Sequence, residues 1–245
     1  RMHKQLGRRV TMNDEVAVVM GVGPGLGAAL VRRFSHEGMR VVAAARSATH
    51  RQELQQGPGG DRVTLQDYDV TDPAQVADAF AAADKLGELG LVVFNAGAFQ
   101  RGSVLETDPA DFERCWRVGC YGGLLVAQEA ARRLTARGRG SILFTGATAS
   151  LRGGRGFSAL ASPKFALRGL VQSLSRELGP EGVHVAHVIL DGQINLPGRE
   201  ERAKDRGADA VLDPDAIAAT YWQLHCQHPS TWTQELDLRP WVEPF

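Results

Sequence analysis

A glycine-rich segment near the start of the chain constrains the fold more than any other feature of the sequence. The segment GVGPGLG follows a valine-rich run, EVAVVM, and precedes a helical pattern, AALVRRFSHEG. Gly21, Gly25 and Gly27 give the spacing G-x-x-x-G-x-G. Glycines between a buried strand and a helix start let backbone N–H groups approach a pyrophosphate without hindrance from side chains. The segment therefore predicts a dinucleotide-binding β–α unit.

Strand and helix patterns alternate along the rest of the chain. Short apolar runs predict buried strands at residues 15–21, 40–46, 62–70, 91–97, 141–147 and 183–190. The segment TQELDL near the C-terminus predicts a short seventh strand. This alternation predicts an α/β fold, namely a single-domain, doubly wound Rossmann fold with a sheet of about seven mostly parallel strands.

Capping signals mark the helices between these strands. Aspartate–proline pairs at 72–73, 108–109 and 213–214 predict helix starts, because aspartate caps a helix and proline suits its first position. Residues 108–137 are predicted to hold one or two helices. A further helix is predicted from about residue 162 to 178, with Ser162 as its N-cap and Pro163 at its first position. The polar segment 196–210 fits a mobile lid and a solvated loop equally well.

The composition indicates one globular domain. The 245 residues are 43% hydrophobic, and 28 Lys and Arg balance 28 Asp and Glu. We therefore expect residues 14–245 to form one domain and residues 1–13 to be a flexible extension or a tag. Balanced charge gives no indication of nucleic acid or a membrane surface as a partner. Three cysteines fit a reducing cytoplasm better than a disulfide framework.

Further motifs, in the expected order, resemble those of the short-chain dehydrogenase/reductase family. They are YDVTD, FNAG, SPKFALRGLVQSLSREL and VHVAHVILDGQI. The resemblance covers residues 16 to about 217 and implies a Rossmann fold, a nicotinamide dinucleotide, a small-molecule substrate and a homodimer or homotetramer. The cofactor-binding residues that follow from the glycine segment and this resemblance are Gly21, Gly23, Gly25, Leu26, Gly27, Arg46, Asp69, Val70, Asn95, Ala96, Gly97, Lys164, Gly192 and Ile194.

The end of the second strand indicates which nicotinamide nucleotide is bound. An acidic residue at this position would bind the ribose 2′-hydroxyl of NAD and repel the 2′-phosphate of NADP. Here the position is Ala45, followed by Arg46. A guanidinium group without that carboxylate favours a phosphate. We therefore expect NADP(H), with NAD(H) as the alternative, unless Arg46 is only a solvated strand end.

Most of the family's catalytic residues are replaced. The family uses Asn, Ser, Tyr and Lys. The tyrosine protonates the substrate oxygen, the serine polarises the carbonyl, and the lysine binds the ribose and lowers the pKa of the tyrosine. The corresponding residues in this chain are Gly119, Ala147, Leu160 and Lys164. Only the lysine is retained, so we expect Lys164 to serve as a cation beside the ribose hydroxyls.

Other side chains could supply part of the lost chemistry. The serine function could pass to Thr145 or Thr148, and Cys120 could take the asparagine position if the helix register shifts. We name Thr148 with Lys164 as the candidate catalytic residues. Losing a general acid typically costs about 10²–10⁴ in rate. Ordinary ketone or alcohol dehydrogenase activity is therefore not expected.

Two replacements also affect the segment after the sixth strand. The family motif P-G-x-x-x-T reads DGQINL here, with Asp191 in place of proline and Leu196 in place of threonine. Gly192 and the backbone of Ile194 could still contact the nicotinamide. No metal site is predicted, because a metal ion needs more ligands than His225 and His228 supply.

Three functions remain open from the sequence. The favoured one is an NADP(H)-dependent oxidoreductase whose substrate needs no proton from the protein, such as an iminium, or whose substrate assists its own reduction. The second is a non-redox enzyme on the same fold, a cyclase, isomerase or pericyclic catalyst that acts by proximity in an apolar pocket. The third is a catalytically inactive, nucleotide-binding pseudoenzyme.

Overall fold

A computed structural model of the chain describes residues 15–46, 51–198 and 208–242. The expected extension at residues 1–13 lies outside the described residues. So do residues 199–207 of the segment that fits either a lid or a solvated loop.

Seven parallel strands form one sheet in the order β3-β2-β1-β4-β5-β6-β7. The strands are β1 (Glu15–Met20), β2 (Arg40–Ala45), β3 (Val63–Asp67), β4 (Glu88–Phe94), β5 (Gly140–Thr145), β6 (Val183–Leu190) and β7 (Glu235–Leu238). This arrangement confirms the predicted Rossmann fold, including the short seventh strand. The near-continuous burial of β1, β2 and β6 is typical of parallel strands with helices on both faces.

Helices cover both faces of the sheet. They are α1 (Leu26–His36), α2 (Arg51–Gln56), α3 (Pro73–Leu86), α4 (Pro109–Trp116), α5 (Gly122–Arg137), α6 (Ser158–Leu178) and α7 (Pro214–His225). One apolar core lies between the sheet and α3, α5 and α6, and a second lies between the sheet and α1 and α7. The sequence did not predict α2.

The aspartate–proline pairs start helices as predicted. Asp72 accepts a hydrogen bond from the N–H of Ala74, and Asp108 accepts one from the N–H of Ala110. Asp213 caps α7 in the same way. The region 108–137 holds two helices joined by a π-helical turn, Arg117–Tyr121.

The predicted start of α6 at residue 162 is wrong. The helix begins at Ser158, and Pro163 lies inside it. The carbonyl of Phe157 accepts hydrogen bonds from the N–H groups of Leu160 at 3.0 Å and Ala161 at 2.8 Å, which close an earlier first turn. Buried Ala159 and Ala161 pack this turn into the molecule. Packing therefore outweighs the hydrogen bond that Pro163 cannot donate to the preceding turn.

The order of the strands places a crevice above the centre of the sheet. The chain runs outward from β1 to β2 and β3, and then returns to the other side of β1 with β4. In open parallel sheets, ligands bind beyond the carboxyl ends of the strands where the winding direction reverses. That position here is the carboxyl edge of β1 and β4.

A buried carboxylate ties elements together at the opposite, amino edge. Glu15 at the start of β1 contacts Arg137 at 2.8 Å and Arg139 at 2.5 Å, and lies 3.8 Å from His225. Burial by itself raises the pKa of Glu15, but the contacts with His225 and Arg137 and the charges of Arg137 and Arg139 outweigh it and lower the pKa to about 2. The ionised carboxylate thus joins β1 to the ends of α5 and α7.

We expect Glu15→Gln to lower the free energy of unfolding at neutral pH by on the order of 3 kcal/mol, since each pKa unit corresponds to about 1.4 kcal/mol. The pKa of Glu15 is lower in the folded chain than its ordinary value of 4.5. The stabilisation is therefore full above about pH 4.5 and is lost as the pH falls toward about 2. Urea unfolding between these pH values measures the difference from the unmodified protein.

The matched control is Glu88→Gln, because Glu88 also contacts Arg137 but its side chain is 68% exposed. We expect this exposed pair to contribute less than about 1 kcal/mol. A loss for Glu15→Gln that stayed constant down to pH 3 would contradict the assigned role of the carboxylate.

Candidate active site

The glycine turn after β1 is packed directly against the end of β4. Gly21 has φ +104°, and a Cβ there would collide with the backbone of Asn95 and Ala96. The side-chain amide of Asn95 donates to the carbonyl of Gly21 at 2.9 Å, and its N–H donates to Met20 at 2.8 Å. Only glycine satisfies both the dihedral angle and the space at Gly21.

The start of α1 presents backbone donors that the described residues do not use. Gly25 precedes α1 without a side-chain cap. The N–H groups of Gly23, Gly25, Leu26 and Gly27 donate no hydrogen bond within the described part of the chain. A Cβ at Gly23 would meet nothing within 4 Å, whereas one at Gly27 would meet the backbone of the turn at 2.6 Å. This geometry suits a pyrophosphate at the helix N-terminus.

A cavity of about 490 Å³ lies beside this turn, over the carboxyl ends of β1, β2 and β4. Among the predicted cofactor-binding residues, those that line it are Gly21, Gly23, Arg46, Asp69, Val70, Asn95, Ala96 and Gly97. The sequence did not assign the residues of α4 and the following π turn that complete the wall: Ala110, Glu113, Arg114, Arg117 and Val118. Their spacing of three and four residues, which places them on one helix face, was the available signal.

Asp69 and Arg46 both line the cavity, but only the charged group of Asp69 is already hydrogen-bonded. Asp69 accepts hydrogen bonds from the N–H and the hydroxyl of Thr71, both at 2.8 Å, so its carboxylate holds its own turn. Arg46 is exposed and has no hydrogen bond or ion pair with a described residue. Its charge opposes the increase in the pKa of Tyr68 that burial causes. An available guanidinium group therefore faces the cavity beside Tyr68.

Lys164 is buried one helical turn after Leu160. Its ammonium group donates to the carbonyl of Thr145 at the end of β5, at 2.7 Å. Burial lowers the pKa of Lys164 to about 8. The hydroxyl of Thr145 lies 2.8 Å from that of Tyr221, which is fully buried and therefore cannot replace the family's exposed acid. The carboxyl end of β5 therefore contacts Lys164 and the hydroxyl of the buried Tyr221, while Leu160 stands one turn before Lys164.

Thr148 directs its hydroxyl hydrogen away from a substrate. Its Oγ1 donates to Asp191 Oδ1 at 2.5 Å, and Arg239 contacts Asp191 Oδ2 at 3.0 Å. Asp191 is buried immediately after β6. A hydroxyl group has one hydrogen and two acceptor lone pairs, so Thr148 can offer a ligand only acceptor positions in this arrangement. The position before it, Ala147, offers its backbone N–H to Ser150 instead.

The glycine that occupies the asparagine position contacts the helix that carries Lys164. A Cβ at Gly119 would lie 3.1 Å from Cβ of Pro163. Gly119 lies on the π turn between α4 and α5, and Pro163 lies inside α6. Cys120, the alternative for this position, is buried on the same turn. The absence of a side chain at position 119 therefore leaves room for Pro163.

The segment after β6 reaches back to the glycine turn. Ile194 pairs with Leu212, and the N–H of Asn195 donates to the carbonyl of Leu212 at 2.8 Å. The side chain of Leu196 lies against Gly25, in the position that a Cβ there would occupy. Lys164, Thr148, Gly192 and Ile194 do not line the cavity beside the glycine turn. Gly25, Leu26 and Gly27 do not line it either, so the cavity contacts only part of the predicted cofactor-binding set.

Two further properties concern the described residues as a whole. No helix among them is both long enough and apolar enough to span a membrane. In residues 15–46, 51–198 and 208–242, no group of three or more His, Cys, Asp or Glu side chains is placed to hold a metal ion.

Comparison with known proteins identifies the family. A family model described as short chain dehydrogenase matches residues 15–205. A relative from Arabidopsis thaliana, short-chain dehydrogenase reductase 4, is 34% identical over 182 residues, which is 73% of this chain and 61% of the relative. The chain therefore spans about three-fifths of the length of that relative. It belongs to the short-chain dehydrogenase/reductase family.

Solved structures agree with this assignment. A short-chain dehydrogenase from Rhodopseudomonas palustris has a TM-score of 0.80 and 35% identity, covering 93% of this chain and 99% of that chain. A gluconate 5-dehydrogenase from Burkholderia cenocepacia J2315, solved in complex with NADP and tartrate, shares the fold with a TM-score of 0.78 at 21% identity, covering 92% and 94%. The chain is thus an oxidoreductase-like member of a family that binds NAD(P)(H) and acts on small molecules.

We expect that returning asparagine to the family position, by Gly119→Asn, destabilises the protein by about 1–3 kcal/mol, because the added side chain overpacks against Pro163. Adding Pro163→Ala should recover part of this loss. Urea unfolding of the two single variants and the double variant measures the coupling. Gly169→Asn is the matched control, since Gly169 lies exposed on α6 and a Cβ there meets nothing within 4 Å. Equal losses at positions 119 and 169 would contradict the proposed contact.

Proposed function

We propose that this chain is an atypical NADP(H)-dependent oxidoreductase whose substrate needs no proton from the protein, such as an iminium ion. One observation carries the proposal. The site keeps a buried lysine and a glycine turn with unused donors, while neither Leu160 nor Thr148 offers a proton to a ligand. The residues suited to holding a dinucleotide are thus present where those suited to protonating a carbonyl are not.

The described residues fit the cofactor group by group. The N–H groups of Gly25, Leu26 and Gly27 would hold the pyrophosphate. Arg46 would hold the 2′-phosphate, and Lys164 would donate to the ribose hydroxyls. When bound, NADPH supplies a hydride ion. Because an iminium carbon is already cationic, addition of hydride gives the neutral amine without a proton, which suits a pocket that has Leu160 where the acid would stand.

The acceptor-only hydroxyl of Thr148 supports the same substrate. A carbonyl oxygen needs a donor, and Thr148 donates to Asp191. An iminium N–H is itself a donor, so it could bind the free lone pairs of Thr148. A site that binds a donor in this position disfavours the isosteric carbonyl compound, because the acceptor atoms of the site and the ligand would face each other.

A specific contact supports a second candidate, the nucleotide-binding pseudoenzyme. Leu196 lies against Gly25, and Lys164 does not line the cavity beside the glycine turn. A chain that binds only the adenosine part of a nucleotide would need no opening at Leu196. The non-redox alternative has no comparable contact in its favour, and the turnover assay below distinguishes all three.

We also propose that residues 14–245 form the domain, that residues 1–13 are an extension or a tag, and that the protein is a cytoplasmic homo-oligomer. Support for the oligomer comes from Trp116 on α4 and Phe165 on α6, which are both exposed. These two helices pack against each other, so an apolar surface runs across them. Light scattering after size-exclusion chromatography gives the molar mass that tests this point.

We expect Arg46→Gln to weaken NADPH binding by about tenfold or more, since a hydrogen bond to a charged group contributes about 1.5–3 kcal/mol. Binding of NADH, which lacks the 2′-phosphate, should change little. Calorimetric titration of both nucleotides measures the effect. Arg40→Gln is the control, because Arg40 stands at the other end of β2 and donates to the carbonyl of Leu86. NADH binding tighter than NADPH would contradict the proposed preference.

We expect the unmodified protein to oxidise NADPH in the presence of 3,4-dihydroisoquinolinium but not 2-tetralone. The variant carrying Leu160→Tyr and Ala147→Ser should gain ketone reduction, because the tyrosine supplies a proton and the serine a donor. Absorbance at the NADPH band and chromatography of the products give both rates. NADPH binding without oxidation by either substrate would favour the pseudoenzyme, and product formation without oxidation would favour the non-redox enzyme.

A further inference from the structure

Among the arginines whose side chains the structure describes, most already bind an acceptor. Those paired with a carboxylate are Arg32, Arg33, Arg114, Arg132, Arg133, Arg137, Arg139, Arg168 and Arg239. Those that donate to a backbone carbonyl are Arg40, Arg62 and Arg176. In a folded protein with balanced charge, guanidinium groups normally bind carboxylates or backbone carbonyls. The exceptions are therefore informative.

The arginines with no hydrogen bond or ion pair, among those whose side chains are described, are Arg46, Arg101, Arg117, Arg152 and Arg155. All of them lie at the carboxyl edge of the sheet. Arg46 and Arg117 line the cavity beside the glycine turn, where a phosphorylated nucleotide accounts for them. Arg101, Arg152 and Arg155 lie on two loops outside that cavity, and the proposed cofactor does not account for them.

The two loops are joined to each other. The first, residues 99–107, follows β4, and the second, residues 151–157, leads into α6. The N–H of Gly102 donates to the carbonyl of Gly156 at 3.1 Å. This bond joins the backbone beside Arg101 to the backbone beside Arg155, and the side chain of Arg101 lies 3.8 Å from the position that a Cβ of Gly156 would occupy. The guanidinium of Arg101 lies 5.2 Å from the ring centre of Phe157, which holds it on the second loop.

The loops adjoin the candidate catalytic residues. The N–H of Arg152 donates to the carbonyl of Thr148 at 3.2 Å, so Arg152 follows Thr148 by one turn. Helix α6 begins directly after Phe157, and it carries Leu160 and Lys164. A molecule that reacts beside Leu160 and extends outward would therefore meet these arginines.

Apolar side chains accompany the charges on both loops. Phe99 is 55% exposed and packs on Phe157, with ring centres 5.7 Å apart. Leu105 is 94% exposed, and Leu151 is also exposed. The loops therefore combine apolar surface with guanidinium groups that have neither a hydrogen bond nor an ion pair, a composition that suits an amphiphilic anion.

We propose that Arg101, Arg152 and Arg155, with Phe99 and Phe157, bind the anionic group of an apolar small molecule, a carboxylate or a phosphate, whose other end reaches the site beside Leu160. Taking this molecule to be the substrate rests on the proposed function, whereas the anion site itself does not. The guanidinium groups supply paired donors for a planar or tetrahedral oxyanion, and the phenylalanine rings contact the apolar part.

Three probes of one shape test the site: 2-naphthoate, 2-naphthyl phosphate and the neutral 2-naphthamide. Each is titrated by calorimetry into protein saturated with NADP⁺, which occupies Arg46. If NADP⁺ does not bind, the proposed function fails, and the same titrations in the Arg46→Gln protein still measure the loops. We expect at least one anion to bind about tenfold tighter than the amide, and its affinity to fall from about 50 to about 500 mM salt. The tighter of the two anions identifies the oxyanion.

Arg101→Gln combined with Arg155→Gln should reduce the preference for the anion to about one, because the paired donors are lost. The matched control combines Arg132→Gln with Arg176→Gln, which removes the same charge from exposed sites on α5 and at the far end of α6 and should leave the preference intact. Equal binding of the anions and the amide would overturn the proposal, as would an equal effect of the two double variants. Tight binding of heparin without discrimination among the probes would also overturn it and indicate a macromolecular polyanion.

Discussion

The close contact between the glycine turn and the end of β4 determines where this protein can bind a ligand. Gly21 packs against the backbone of Asn95 and Ala96, and the side-chain amide of Asn95 donates a hydrogen bond to the carbonyl of Gly21. This contact lies where the strand order reverses between β1 and β4, which is where a crevice forms at the carboxyl ends of the strands. The unused donors of α1, the charge of Arg46 and the segment after β6 all surround that crevice.

The positions that the sequence aligns with the family's catalytic residues make contacts with side chains far away in the chain. Gly119 lies against Pro163, and Thr148 has a new partner in Asp191, which is itself held by Arg239. These contacts affect which hydrogen-bond donors remain available at the carboxyl edge of the sheet. Within the described residues, the Thr148 hydroxyl donates to Asp191, while the N–H groups at the start of α1 and the guanidinium of Arg46 donate no hydrogen bond. An edge with these donors would suit the negative groups proposed above as ligands.

The sequence was sufficient for the fold because each strand is a continuous apolar run and most helices carry a local cap. Residues such as Asp72 and Asp213 act within three positions of themselves, so their effect can be predicted from neighbours alone. The start of α6 could not be predicted in this way. A cap at Ser162 is locally sensible, but the burial of Ala159 and Ala161 depends on distant parts of the chain.

The same distinction applies to the site. The glycine turn and the retained Lys164 follow from short motifs. The direction of the Thr148 hydroxyl does not follow from a motif. Its acceptor, Asp191, lies 43 residues away, and Arg239, which contacts Asp191, lies farther along the chain. Nor could the sequence show that Leu196 reaches Gly25, or that Gly102 is hydrogen-bonded to Gly156. These contacts form because parallel strands place their carboxyl ends at the same edge of the sheet, which brings together residues far apart in the chain.

The position of β1 in the middle of the sheet has a consequence for how the chain folds. Glu15 pairs with Glu88, so the inner side of β1 stays open until the chain has been made through β4. Contacts between residues so distant in sequence require a large loss of chain entropy before they form, which slows folding. During synthesis on the ribosome, the first three strands would expose an unpaired apolar edge, and this interval is when the nascent protein is most susceptible to aggregation.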